Sequence, residues 1–317
     1  MSLSRWVKMH AQRNTLVKHF STSVVLLLAL MTMSCKSYSD SEYPGLNRPY
    51  LGQDPPGLTP RVFAPGIVST EGWEYGGTFS PDLKEYYFIR EVDVETEPRQ
   101  EFVVFQYRDN QWSETVISPR VGQPFISPDG NTMYLGRRYK ERSEAGWSEI
   151  TNLGPPVGEL PIMRLTVSSR GTYFFDEPGM PDGDGVIRFS RSIDGVYEEP
   201  KPLSKEINTG TFNAHPFIAP DESYIIWDGR RDMGFGSSDL YISFRKPDGL
   251  WDEAINLGEE INTEAWEAAA SVTPDGRYLF FNRNTGSENF ENVDIFWVDA
   301  QLIEDLRPSN GPHNHDN

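Results

Sequence analysis

The amino-acid sequence predicts an all-β protein, a β-propeller of five four-stranded antiparallel blades, and three observations carry that prediction. One short unit recurs five times at the period of a propeller blade, each copy leads into a near-continuously apolar strand, and the strand missing from the last copy stands ahead of the first. Composition agrees, since 18 Phe, 14 Tyr and 8 Trp beside 27 Gly and 24 Pro is the mixture of short strands joined by tight turns.

The N-terminus reads as a targeting segment. Basic residues up to Lys18 precede the apolar run from Val24 to Met31, which falls well short of the roughly 20 residues that span a bilayer and has the layout of a signal peptide over residues 1–34. Cys35 is the only cysteine, so no disulfide framework is expected. It follows in Thr32-Met33-Ser34-Cys35, a position that resembles the lipobox of bacterial lipoproteins, with Thr32 where that pattern prefers Leu. The resemblance implies lipidation at Cys35 and a lipid-anchored protein of the bacterial cell envelope, periplasmic or on the outer-membrane surface. Ordinary cleavage nearby, giving a secreted protein, is the alternative. Residues 35–58 are expected to form a flexible tether, 59–307 the propeller and 308–317 a disordered tail.

The repeated unit is Gly77-Thr78-Phe79-Ser80-Pro81-Asp82, Pro124-Phe125-Ile126-Ser127-Pro128-Asp129-Gly130, Leu165-Thr166-Val167-Ser168-Ser169-Arg170-Gly171, Pro216-Phe217-Ile218-Ala219-Pro220-Asp221 and Ala270-Ser271-Val272-Thr273-Pro274-Asp275-Gly276, at intervals of 47, 41, 51 and 54 residues. In each, a short apolar strand ends where Pro presets φ, Asp can bond its own backbone and Gly tolerates a left-handed conformation. Second strands such as Tyr86-Tyr87-Phe88-Ile89 and Tyr278-Leu279-Phe280-Phe281 follow, apolar on both faces as burial between blades requires. Third strands are clearest at Phe102–Phe105, Val186–Phe189, Asp239–Ile242 and Asp294–Trp297, and blade two is degenerate there. Fourth strands are expected to begin at Trp112, Trp147, Tyr197 and Trp251, each followed by an acidic or polar step. The fifth repeat lacks one, and Arg61–Val68 supplies it from the front, closing the ring and removing the exposed sheet edges. The short second repeat leaves a six-bladed ring as an alternative.

The Ser-Pro-Asp-Gly turn between apolar strands, with Trp-Ser-Glu and the phrasing Asn256-Leu257-Gly258 then Ile261-Asn262-Thr263, resembles the Pro-Asp type of repeat in the TolB family and, more broadly, WD-repeat-like propellers. The resemblance covers roughly residues 60–307 and implies the fold. TolB itself has six blades and a further N-terminal domain, whereas the unit occurs five times here.

Net charge is −18, and the first 34 residues contribute Arg5, Lys8, Arg13 and Lys18 without an acid, leaving −22 on the remainder. Such a field repels nucleic acid, which is not expected as a partner. No nucleophile elbow, phosphate loop or zinc signature occurs, so neither cofactor nor metal is expected. Asp182-Gly183-Asp184-Gly185 begins like a calcium loop but has Ile193 where an EF-hand needs Glu, and reads as a turn.

Propeller geometry gathers the loops entering first strands and leaving second strands on one face. Three entry loops match closely, Thr70-Glu71-Gly72-Trp73-Glu74, Thr209-Gly210-Thr211-Phe212-Asn213 and Thr263-Glu264-Ala265-Trp266-Glu267, each Thr lying 12 residues before its turn Asp. Gln123, Arg164 and His215 join them from matching first-strand positions, and Arg90, Arg137, Asp228, Arg230 and Arg283 from the ends of second strands. Rings that stack on sugars and guanidinium forks that match carboxylates suit a saccharide, a peptide or an envelope protein as partner of a monomeric binding propeller. Recurrence in register also suits blade packing for Trp73, Phe212 and Trp266, ion pairing across the channel for the charged ring, and a structural role for His215. The enzymatic alternative is carbohydrate-active. A lyase for acidic polymers would use Arg164 on the substrate carboxylate with His215 as base, and a hydrolase would use Glu74 and Glu267.

Overall fold

Every repeated unit lies between the first two strands of its own sheet, and there are five such sheets. The computed structural model describes residues 48–92, 99–178 and 185–308. The expected signal segment, Cys35, the part of the expected tether before residue 48, Asp182 to Asp184 and the expected tail beyond residue 308 lie outside the described residues.

Blade 1 comprises Glu74–Phe79, Glu85–Val92, Arg99–Arg108 and Gln111–Pro119. Blade 2 comprises Pro124–Ile126, Thr132–Leu135, Arg138–Ser143 and Thr151–Asn152. Blade 3 comprises Leu165–Val167, Tyr173–Glu177, Val186–Ser190 and Lys201–Pro202. Blade 4 comprises Thr211–Ile218, Tyr224–Arg230, Asp239–Phe244 and Ile255–Asn256. Blade 5 comprises Glu267–Val272, Tyr278–Asn284 and Val293–Asp299, completed by Arg61–Val62. All pairings within a blade are antiparallel, and first strands of different blades touch one another, which makes them the wall of a central channel. The protein is a five-bladed β-propeller.

The turn chemistry follows the residues. Ser80 Oγ donates to Asp82 Oδ1 at 2.6 Å, the Lys84 N–H donates to the same oxygen at 3.1 Å, and Thr273 Oγ1 repeats the first bond with Asp275 at 2.7 Å. The degenerate third strand of blade 2 is a regular but largely polar one, half-buried to exposed, which hid it from a hydrophobic reading. In blades 2 to 4 the fourth strands are shorter and later than their aromatic markers suggest. Only Trp112 lies inside its fourth strand; Trp147 and Tyr197 sit in outer hairpins and Trp251 forms a lone bridge to Arg245.

Ring closure is also briefer than expected. Arg61 and Val62 pair with Trp297 and Phe296, the Phe63 N–H donates to the Ile295 carbonyl at 2.8 Å, and the chain then turns away. Phe63 seals the seam, its buried ring set against Phe79, Tyr86, Phe280 and Trp297 at 4.8–6.2 Å. The expected tether ends earlier than residue 58. Tyr50 and Leu51 are buried, Tyr50 packing edge-on to Tyr278 and Phe79 with its hydroxyl on Asp275, an anchor of two residues too short to show any periodicity.

One feature of the channel wall was not anticipated. The first strands of blades 1, 4 and 5 bulge at a left-handed residue, Gly76 (φ 70°), His215 (φ 47°) and Ala269 (φ 53°). A bulge turns one N–H out of its own ladder. Each freed N–H donates to a side chain of the preceding blade: Gly76 to Asn282 Oδ1 at 3.1 Å, His215 to Asp176 Oδ2 at 2.9 Å and Ala269 to Asp228 Oδ1 at 2.9 Å. Asp176, Asp228 and Asn282 hold matching places in second strands of blades 3, 4 and 5, whereas blades 1 and 2 have Ile89 and Gly136 there. These are backbone-to-side-chain pins across three of the five seams.

Candidate functional site

At the end of the channel away from the Pro-Asp turns, an open cavity of about 420 Å³ lies over blades 3, 4 and 5. Asn213, His215, Asp228, Arg230 and Trp266 line it, with Met163, Phe212, Ser238 and Phe290 among their neighbours. Its floor is built by the blade 4 bulge. The left-handed turn at His215 sets the imidazole inward, where Nδ1 lies 3.0 Å from both carboxylate oxygens of Asp228. Nε2 is 3.2 Å from the Tyr75 hydroxyl. Burial would lower the pKa of His215, but the charge and hydrogen bond of Asp228, reinforced by Asp176, outweigh it and raise the pKa above the ordinary value. Burial, with Asp228, pushes the Tyr75 hydroxyl well up, so it stays neutral.

The walls are not saturated. Asn213 is 1% and Ser238 3% exposed, yet Asn213 Oδ1 and Ser238 Oγ have no hydrogen-bond partner. Phe212, 49% exposed, and Phe290 form an apolar rim with Trp266, whose ring meets Phe290 at 5.4 Å. Arg230 stands exposed at the edge.

The remaining expected residues divide. Gln123 and Arg164 converge beneath the cavity on Tyr75, Gln123 Nε2 donating to its hydroxyl at 3.5 Å and Arg164 interacting electrostatically with it. Trp73 stacks on one side of this assembly, 5.1 Å from the Tyr75 ring, and Trp266 lies 6.0 Å from the same ring, so both rings pack while Trp266 also faces the cavity. Arg90 is turned into blade 1, where it pairs with Glu101 at 3.2 Å and Glu114 at 2.7 Å, and Arg137 sits exposed in the turn after its second strand.

Glu74 and Glu267 are buried and engaged. In each entry loop the Thr hydroxyl donates to one carboxylate oxygen at 2.6 Å and the Thr N–H to the other at 3.1 Å, for Thr70 with Glu74 and Thr263 with Glu267. Arg283 adds a bond to Glu267 at 2.8 Å and a second to the Ile261 carbonyl at 2.8 Å. Burial raises both glutamate pKa values against the pull of these donors. The matched Thr-to-Glu spacing is thus a loop clamp. Among the described residues no group of three or more His, Cys, Asp or Glu is placed to hold a metal ion.

Sequence reasoning missed Tyr75 and Asp176. Tyr75 resembles any strand aromatic, but Asp176 carried a signal in its register with Asp228 and Asn282.

No family model matches the chain, and no curated relative matches it. Solved structures similar to it include TolB from Acinetobacter baumannii (15% identity, 72% of this chain, 57% of that chain, TM-score 0.43). The catalytic domain of the Coprinopsis cinerea GH62 α-L-arabinofuranosidase is another (10% identity, 77% of this chain, 97% of that chain, TM-score 0.47). A third is Kuenenia stuttgartiensis hydrazine synthase (15% identity, 77% of this chain, 82% of that chain, TM-score 0.41). The chain thus spans little more than half of the TolB structure. The class stands on the five paired sheets themselves.

Proposed function

We infer that the protein is a binding propeller of the cell envelope that captures a saccharide in the cavity over blades 3 to 5. The observation that carries this reading is the unsatisfied pair Asn213 Oδ1 and Ser238 Oγ, buried in the wall of an open cavity whose rim is Trp266, Phe212 and Phe290. Buried polar atoms without partners are rare in a resting protein and mark where a ligand's own groups complete the set. Aromatic rings supply the apolar face that a sugar ring covers.

A catalytic role has weaker support. Glu74 and Glu267 already spend their oxygens on Thr and Arg donors, so a hydrolase would have to break both clamps. A lyase reading draws on the chain Asp228, His215, Tyr75 with Arg164 close by. Against it, both imidazole nitrogens are already engaged, Nδ1 with Asp228 and Nε2 with the Tyr75 hydroxyl, so neither is open to a substrate proton.

Binding is tested by calorimetry against a panel of neutral and acidic oligosaccharides with wild type, Trp266→Ala and Ser238→Ala. Saturable binding to one class, weakened roughly tenfold or more in either variant, is expected. No heat across the panel would remove the saccharide reading, and new absorbance from unsaturated ends would favour the lyase. The envelope location is tested by labelling with an alkyne fatty acid, where Cys35→Ser must abolish incorporation.

A further inference from the structure

The cavity lies where one copy of a repeated clamp is pared down. In blades 1 and 5 the entry loop holds a buried glutamate, Glu74 or Glu267, opposite an arginine of the second strand, Arg90 or Arg283. Blade 4 pairs Ala214 with Asp228, as blade 1 pairs Tyr75 with Ile89 and blade 5 pairs Ala268 with Asn282. Asn213 and Gly229 therefore take the places of the glutamate and the arginine, and both are shorter. A Cβ on Gly229 would come within 2.9 Å of Asn213 Oδ1, so the two reductions go together. Thr209, which matches the clamping Thr70 and Thr263, gives its hydroxyl to the Lys205 carbonyl instead.

The loop backbone changes with it. Trp73 and Trp266 keep ordinary backbone and pack beside Tyr75, whereas Gly210 (φ 88°) and Phe212 (φ 57°) are left-handed and the Phe212 ring is turned out to 49% exposure. A bulky residue in that conformation is strained, and a half-exposed ring offsets little of the strain by burial. Phe212 and Asn213 both line the cavity. We propose that Phe212 is the wall on which the captured sugar ring is stacked, so that the saccharide sits in the place that Glu and Arg fill in blades 1 and 5. A pyranose lays its C–H face on an aromatic ring, and Arg230, exposed on the same cavity, offers N–H donors to the hydroxyls at its edge. The placement rests on the saccharide-binding reading and fixes within it which residues make the room and which wall the sugar meets.

Phe212→Asn, Phe212→Tyr and the double variant Asn213→Glu with Gly229→Arg are compared with wild type by thermal melting and by calorimetry against trisaccharides of glucose, galactose, mannose and N-acetylglucosamine. Asn tolerates left-handed backbone, so Phe212→Asn should hold its melting temperature within about 4 °C while its binding weakens roughly tenfold or more. Phe212→Tyr keeps the ring and should bind within about threefold of wild type. The double variant refills the vacated place and should abolish binding; if it does not fold, the two Phe212 variants decide. Wild-type affinity in Phe212→Asn or in a folded double variant overturns the placement and leaves saccharide binding standing. A fall of more than about 4 °C in the melting temperature of Phe212→Asn also overturns it, because the ring would then be serving the fold. No heat from wild type with any trisaccharide removes the saccharide reading and the placement with it.

Discussion

Replacing Asp176 with Ala removes one carboxylate from three backbone donors at once, those of Met163, Arg164 and His215, at a residue that is fully buried. Each stranded N–H costs about 1–3 kcal/mol, but the adjoining cavity admits water and relieves part of it. The substitution also strips a counter-charge from buried Arg164, a loss of the kind that costs about 3–5 kcal/mol. These costs overlap, so the expected destabilisation is roughly 3–5 kcal/mol. Asp176→Asn keeps one acceptor but removes the same charge and sets its NH2 against at least one N–H donor, so it should still cost about 2–4 kcal/mol; Asn282 is tolerated at the matching place in blade 5 because the Glu74 carbonyl receives its NH2 at 2.9 Å. Urea unfolding measures both, with the midpoint moving and the slope held. Losses below about 1 kcal/mol in both variants would refute the pin as a stabilising element.

Two further outcomes follow from the same structure. Phe63→Ala empties the seal of the closing seam and should cost about 3–5 kcal/mol by the same assay; a loss near zero would mean that the two-residue pairing of Arg61 and Val62 closes the ring unaided. His215 is the only histidine among the described residues, and its raised pKa means that it contributes stability that is full below its ordinary value of 6.5 and is lost as pH rises through the folded value. Wild type should therefore lose more stability than His215→Gln on going from pH 6 to pH 9, and parallel curves would contradict the Asp228 pairing.

The parts of this protein that were legible are those that repeat with a fixed chemical reason. Pro-Asp turns need Pro and Asp at set offsets, and buried second strands need apolar residues on both faces, so five blades could be counted. The short closing strand was found because every other blade has a fourth strand in that place, though its length was overstated, since pairing stops at Val62 and Phe63 takes over by packing. The site was half legible. Position identified Asn213, His215, Asp228, Arg230 and Trp266 as neighbours, but residue type alone does not say whether a carboxylate is free. Glu74 and Asp228 look equally available in sequence, and only the clamp from Thr70 and the imidazole of His215 show how each is held. Tyr50 and Leu51 were missed because two residues buried by a turn leave no pattern.

The three pins fall on consecutive seams, from blade 3 round to blade 1, and this arc carries the mouth. Blade 2, flanked by Ile89 and Gly136 instead of acceptors, meets both neighbours without an inner pin. The ring is in this sense a bracket: the arc around the cavity is tied through its inner wall, while blade 2 is tied to blade 1 further out, by Trp147 Nε1–H donating to the Tyr87 hydroxyl at 2.8 Å and by the Arg142–Glu85 ion pair. A wall fixed in this way would cost a bound molecule little ordering entropy, in keeping with the binding role proposed above.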